Sequence, residues 1–263
     1  MDKLITILGP TATGKTTVAA TLAHRIGGEV ISADSRQVYR GMDLGTGKDL
    51  DDYIIDNHQV PYHLIDIADP GEEYNVYRFQ QDFWHAYSDI ASKGKQAVMC
   101  GGTGMYLESV ILNYEMAEAP PDPVLRSELE KSSDEDLKER LRTLKEVHNI
   151  TDTGDRSRLI RAIEIAAPSP QPPAASSQPP DIKHTVFGID LPRQEVRERI
   201  TTRLKQRLQE GMVDEVSKLL DTGLQAEQLE FYGLEYKFLT QYVTGKINYE
   251  EMFRLLNTAI HQF

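Results

Sequence analysis

Cysteine is nearly missing from this 263-residue chain, and Cys100, standing alone, can form neither an internal disulfide nor a thiolate zinc site. Long apolar runs are missing too. No stretch approaches the roughly 20 residues needed to cross a bilayer, which excludes a membrane-spanning helix. The run from Leu4 to Leu8 is too short for a signal peptide, so the cytoplasm is the expected compartment. Positive charge is scarce: 29 Lys and Arg face 41 Asp and Glu, a net charge of -12. That balance argues against coating nucleic acid by bulk electrostatics and leaves room only for local basic patches. What is present is ordinary globular composition, 40% hydrophobic and 27% charged, enough for one large domain or two modest ones.

Leu4 to Leu8 form a β-branched run that stops at Gly9, after which apolar residues recur at Val18, Ala19, Leu22, Ala23 and Ile26. That order predicts strand, loop, helix. The loop reads Gly9-Pro10-Thr11-Ala12-Thr13-Gly14-Lys15-Thr16 and fits G-x-x-x-x-G-K-[ST] in the context that gives the pattern its meaning. Glycines let backbone N–H groups curl around phosphate oxygens, and a helix N-terminus adds partial positive charge. Lys15 would neutralise a terminal phosphate, and the Thr16 hydroxyl would sit where Mg²⁺ bridging two phosphates is held. The plainer alternative is a glycine-rich turn that binds nothing. Glu29 to Ala33 reads as a second strand, and parallel sheets gather ligands at the carboxyl ends of their strands, so Asp34 faces the same crevice. A carboxylate there could hold Mg²⁺ through water, act as a general base or cap the following turn, and spacing leaves all three open.

Three segments in order, Gly9 to Thr16, Asp34-Ser35-Arg36-Gln37-Val38-Tyr39-Arg40-Gly41-Met42-Asp43-Leu44-Gly45-Thr46-Gly47-Lys48, and Gly101-Gly102-Thr103-Gly104-Met105-Tyr106-Leu107, resemble the bacterial tRNA dimethylallyltransferases. The likeness continues through His63-Leu64-Ile65-Asp66 and from Asp155 to Glu164, nearly the whole chain. The resemblance implies transfer of a dimethylallyl group from dimethylallyl diphosphate to N6 of the adenine 3′ of the anticodon in tRNA, with Mg²⁺ as cofactor. It implies an α/β fold, a P-loop NTPase-like parallel sheet flanked by helices and interrupted by a small helical insertion. It gives the base role to Asp34, places diphosphate on Gly9, Pro10, Thr11, Ala12, Thr13, Gly14, Lys15 and Thr16, and puts the metal on Thr16. It assigns tRNA contacts to Asp34, Ser35, Arg36, Gln37, Thr103, Arg126, Ser157, Arg158, Leu159, Ile160 and Arg161. Without it, Arg36 and Gln37 would read as solvated turn residues.

Elsewhere the residues speak more quietly. Gln96 to Cys100 reads as a third strand, its glycines as a ligand-edge loop or a tight turn, and Cys100 as a buried structural thiol. Asp66 reads as a Walker-B-like metal ligand, His63 as a packed histidine, and Phe79, Phe83 and Trp84 as one amphipathic helix on the sheet. A charged helix is expected from about Val124 to Val147, and on a helical wheel Arg158 and Arg161 point outward together. Such a pair is ordinarily a solvated face; the resemblance makes it a phosphate contact. Residues 168–180 hold six of the 13 prolines and read as a linker. A strand near His184 to Leu191 precedes a long helix whose Arg193, Arg197, Arg203 and Arg207 alternate with glutamates, either a salt-bridged solvent face or an RNA-facing edge.

The expected division is therefore a catalytic core over 1–113 and 184–263 and a helical tRNA-binding insertion over 114–183, acting as a monomer away from membranes. At Leu234 and Glu235 the chain departs from the family, which has an aromatic and then a basic residue there, and relatives continue beyond Phe263 into a basic segment. Weakened tRNA affinity is expected of the chain as given. The rival readings are a P-loop small-molecule kinase, prenyl transfer to a free adenine nucleotide, and an RNA-binding scaffold without chemistry. Lys15, Thr16 and Asp34 occurring together favour chemistry.

Overall fold

Five short apolar runs align into one parallel sheet in the computed structural model, which describes residues 3–114, 116, 122–144, 155–167, 180 and 182–262. The strands are Lys3–Leu8 (β1), Glu29–Ala33 (β2), Tyr62–His63 (β5), Ala97–Gly101 (β6) and Lys183–Gly188 (β7), in the order β5-β2-β6-β1-β7. Ile54–Ile55 (β3) and His58–Gln59 (β4) pair separately as a hairpin, turned by Asp56 and Asn57 at positive φ. Every residue of β2 and β6 is buried, as a parallel sheet covered on both faces requires. Register decides where the site lies: Leu8 and Ala33 both sit level with Gly101, so the carboxyl ends of β1, β2 and β6 open at one edge. At Gly101 a Cβ would lie 2.1 Å from the Ala33 carbonyl oxygen, so only glycine lets these strands close up.

The helices in chain order are Lys15–Ile26 (α1), Val76–Ser92 (α2), Gly104–Ile111 (α3), Pro123–Leu129 (α4), Asp134–Leu144 (α5), Arg156–Ala166 (α6), Arg193–Gln209 (α7), Met212–Asp221 (α8), Ala226–Glu230 (α9), Leu234–Val243 (α10) and Tyr249–Gln262 (α11). On one face of the sheet Ala19, Ala20 and Ala23 of α1 pack against Ile7, Val30, Val98 and Cys100. On the other, Phe79 and Phe83 of α2 join Tyr106 of α3 and the apolar sides of α7 to α11. The amphipathic reading of α2 holds: Phe79, Phe83, Ala86 and Ile90 follow helical spacing inward, and the Phe79 ring stacks on Tyr106 at 4.1 Å. Full burial of each such phenylalanine contributes roughly 1.5–3 kcal/mol.

The chain divides into two compact units, Met1–Tyr114 with Pro179–Phe263, and Glu115–Gln178. Within the second, Leu129, Leu137, Leu141, Leu159 and Ile163 make a small core between α4, α5 and α6. The single helix expected from Val124 to Val147 is two helices, and residues 145–147 lie outside the described residues. The break has a local cause. Ser133 Oγ accepts from the Asp136 N–H at 3.2 Å while the Ser133 N–H reaches back to Asp136 Oδ2 at 3.4 Å, a reciprocal cap that starts α5 afresh. The proline-rich tract lies outside the described residues, apart from Pro180. Among the described residues no helix is long and apolar enough to cross a membrane.

Candidate active site

The loop between β1 and α1 turns through Ala12 at φ 60° and Gly14 at φ 79°. Gly14 is the N-cap residue of α1 and has no side chain to cap the helix, so the first backbone N–H groups of α1 are left for an outside acceptor. Thr13 Oγ1 donates to the Pro10 carbonyl at 2.8 Å and Lys15 Nζ donates to the same oxygen at 3.3 Å. Thr11, Ala12, Gly14, Lys15 and Thr16 line a cavity of about 490 Å³; Gly9, Pro10 and Thr13 shape the loop behind it.

Asp34 stands at the carboxyl end of β2 and lines the same cavity with Gln37. Its Oδ1 accepts from the backbone N–H of Arg36 at 2.9 Å and of Gln37 at 3.4 Å. The cap expected as one alternative is therefore present: Oδ1 fixes the turn, in a residue that also lines the cavity. Gln37 is held from both ends, its Oε1 accepting from Ser32 Oγ at 3.1 Å and its Nε2 donating to the Gly47 carbonyl at 3.1 Å. Thr103, the N-cap residue of α3, accepts the Ser35 N–H at 3.0 Å and so ties the β2 and β6 loops together. The Arg36 guanidinium lies 6.0 Å from the Phe231 ring centroid. Ser35, Arg36 and Thr103 surround Asp34 without lining the cavity itself.

The opposite wall was not legible as such from the sequence. Arg199, Arg203 and Arg207 project from one face of α7 at successive i, i+4 steps, with Thr202 between them, and line the cavity together with Thr46, Gly47, Asp49 and Asp52. Arg203 and Arg207 both bind Asp49; the Arg207 pair measures 3.0 Å. Burial, helped by the neighbouring Arg207 charge, holds Arg203 below the ordinary guanidinium range, and the Asp49 carboxylate opposes that fall. Burial likewise raises Asp52 above the usual carboxylate range, against the hydrogen bond from Thr17. The alternatives of a solvated face or an RNA edge fit Arg199, paired with Glu195 at 2.7 Å, only in part, and do not describe Arg203 and Arg207.

The site thus sets a helix N-terminus with Lys15 on one side, a guanidinium pair on the other and a carboxylate at the rim, and the chain that builds it has known relatives. Residues 37–263 match the family described as IPP transferase, and residues 2–60 match isopentenyl transferase. The chain is 54% identical over 260 residues to tRNA dimethylallyltransferase 2 of Phocaeicola vulgatus, covering 99% of this chain and 85% of that protein. It is 51% identical to tRNA dimethylallyltransferase 2 of Syntrophotalea carbinolica over 261 residues, 99% of this chain and 86% of that one. The chain belongs to the IPP transferase family.

Among solved structures, the full-length tRNA isopentenylpyrophosphate transferase of Bacillus halodurans is similar with a TM-score of 0.69 and 32% identity, covering all of this chain and 84% of its own. A eukaryotic dimethylallyltransferase acting on tRNA shares the fold at a TM-score of 0.81 and 23% identity, over 68% of its length. The P-loop NTPase-like architecture expected from the sequence is therefore the observed one. Cys100 is packed in the core under α1, as a structural thiol would be, and burial pushes its thiol up to about 12.

Several expected contacts fall differently. Leu159 and Ile160 are buried in the small helical core, so their side chains hold that unit together and are not offered at its surface. Arg158 and Arg161 do not point outward together. Arg158 is exposed, while Arg161 reaches Glu164 at 3.3 Å; Arg126 binds the same carboxylate at 2.8 Å, and that carboxylate is 1% exposed. Burial pushes Glu164 up, but Arg126, the Asp122 N–H and Arg161 outweigh it and hold the carboxyl below its ordinary range. Ser157 is exposed at the first turn of α6, where Asp155 caps it. Asp66 does not line the cavity of the phosphate loop. It pairs with Lys48, whose buried ammonium also donates to the Tyr39 carbonyl at 2.6 Å and Asp43 at 2.7 Å. His63 binds Glu29 at 2.7 Å, a structural partner as its apolar neighbours suggested.

Proposed function

We infer that the chain moves the dimethylallyl group of dimethylallyl diphosphate to N6 of the adenine 3′ of the anticodon in tRNA. One observation carries this reading: Asp34 shares a cavity with a phosphate loop on one side and two arginines on the other, in a member of the IPP transferase family. Inorganic diphosphate is the leaving group, so charge grows on the bridging oxygen as the C1–O bond breaks. Lys15, Arg203, Arg207 and the first N–H groups of α1 are positioned to receive it. The N6 lone pair is delocalised into the purine, and attack becomes easier if a carboxylate takes the N6 proton as the N6–C1 bond forms. Asp34 Oδ2 is that acceptor, held in place by the two N–H bonds to Oδ1.

The adenine must leave its stack to reach the cavity, which costs a few kcal/mol. Gln37 lines the cavity beside Asp34, and the second N–H of its amide, beyond the one given to the Gly47 carbonyl, is the proposed reader of the adenine edge. Arg158 and Ser157, exposed on α6, remain for RNA backbone contact. The Thr16 hydroxyl on the cavity wall, with carboxylate oxygens nearby, offers hard oxygen ligands that suit Mg²⁺. Mg²⁺ held there would supply charge neutralisation for the departing diphosphate. The kinase reading explains only the first sixteen residues and is not favoured by a family match that runs on to residue 263.

Incubation with Mg²⁺, dimethylallyl diphosphate and unmodified tRNA, followed by mass spectrometry of the digested RNA, tests the reading. The five-carbon adduct on the adenine is expected from the wild type, and at an initial rate roughly 10²- to 10⁴-fold lower from Asp34→Asn. Adduct on AMP but not on tRNA would instead mark a free-nucleotide enzyme.

A further inference from the structure

The cavity contains an anion of its own. Asp49 lines the cavity and binds both Arg203 and Arg207, with 39% of its side chain exposed. It stands at φ 34°, ψ 58°, a left-handed conformation that side chains rarely adopt, at the start of the turn Leu50–Tyr53. That loop is not free to drift. Glu215 clamps its beginning by accepting the N–H groups of Asp43, Leu44 and Gly45, and Gly47 is packed so closely that a Cβ there would lie 2.4 Å from the Arg207 guanidinium. The Asp49 carboxylate is thus held against the pair of cations that a diphosphate needs.

We propose that Asp49 is a resident counter-ion, which neutralises Arg203 and Arg207 in the unloaded site and competes with diphosphate for them. This rests on the reading of the cavity as the diphosphate site. Two guanidiniums side by side on one helix face repel each other, and a carboxylate bound to both removes that cost while the site is empty. A diphosphate brings more charge and displaces it; Asp49, partly exposed, then turns to water. The same competition helps after the reaction, because the product is free inorganic diphosphate and a returning carboxylate weakens its hold. Asp49 is a positioning and affinity-setting residue and exchanges no proton with substrate.

The sign of one substitution decides the matter. If Asp49 served only to orient the arginines, removing its charge would weaken anion binding; if it competes, the same change strengthens it. Asn suits the test, since it keeps the shape and is the residue after glycine that best tolerates left-handed backbone. Calorimetric titration of the full chain with inorganic pyrophosphate is expected to show Asp49→Asn binding about five- to tenfold more tightly than wild type. The KM for dimethylallyl diphosphate should fall by a similar factor while kcat does not rise, and Asp49→Glu, which keeps the charge, should stay near wild type. Unchanged or weaker pyrophosphate binding by Asp49→Asn, with a thermal melt showing it folded, overturns the proposal. Lys15→Ala separates this from the parent reading: if it leaves pyrophosphate affinity unaltered, the cavity is not the diphosphate site at all.

Discussion

The two oxygens of Asp34 are not equivalent, which lets the proposed base also hold a turn. Oδ1 is committed to the Arg36 and Gln37 N–H groups, which fixes the direction of Oδ2 before any substrate arrives. Asp34→Asn keeps the cap through its amide oxygen and removes only the proton acceptor. We expect kcat to fall roughly 10²- to 10⁴-fold with the melting temperature nearly unchanged, as steady-state kinetics beside calorimetry would establish. Arg126 behaves in the opposite sense. Its guanidinium meets the buried Glu164, so Arg126→Ala should destabilise the helical unit by about 1–3 kcal/mol in urea melts, before any loss of RNA affinity is considered. At this scale the phosphate loop and Asp34 were legible because their chemistry needs particular residues at fixed spacing within a few positions. Asp49 with Arg203 was not, since 154 positions separate the partners and nothing local in either segment names the other.

Elements act through the loops they hold in place. The segment from Asp43 to Lys48 carries part of the cavity wall but has no regular structure, and two charged side chains give it shape. Lys48 ties it to Tyr39 and Asp66, and Glu215 on α8 accepts three of its N–H groups and the Tyr236 hydroxyl at 2.7 Å. Glu215→Ala removes a carboxylate that satisfies four donors, which should cost about 2–4 kcal/mol and raise KM for the diphosphate donor more than it lowers kcat. Thermal melts and initial rates on the same preparation check both halves. Helices α1 and α2 could be read from spacing because their apolar stripes are regular. Of the array from α7 to α11 only α7 was read, as one long helix; the later helices are short, turn at Gly211, Gly223 and Gly233, all at positive φ, and bury side chains contributed from several segments at once. The arginine stripe of α7 carried a usable signal, three arginines at i, i+4 steps, that alternation with glutamates hid.

Among the described residues each of the two units buries one glutamate under basic partners, Glu29 and Glu164, and this shapes acid stability. Glu29 opens β2 in the middle of the sheet with its side chain 3% exposed, bound by Lys95 at 2.8 Å and His63 at 2.7 Å and approached by Lys93 at 3.6 Å. Burial pushes its carboxyl up; the bonds from Lys95 and His63 and the lysine charges outweigh burial and hold it below its ordinary value of 4.5. A carboxyl lowered on folding stabilises the native state fully above its unfolded value, and the contribution is lost as pH falls through the folded value. The wild type should therefore lose stability on acidification below about pH 4.5. Glu29→Gln removes the charge that the lysines and His63 surround, so it should be less stable than wild type at pH 7 by about 1–3 kcal/mol. It should also lose less between pH 5 and pH 3, so the two curves approach each other in acid. Glu164→Gln should do the same for the helical unit alone, because its partners Arg126, Arg161 and Asp122 all lie within residues 115–178. Urea melts at several pH values, followed by hydrogen exchange to assign each loss to its unit, would decide. A Glu29→Gln curve running parallel to wild type down to pH 3 would show that Glu29 is not what acid titrates.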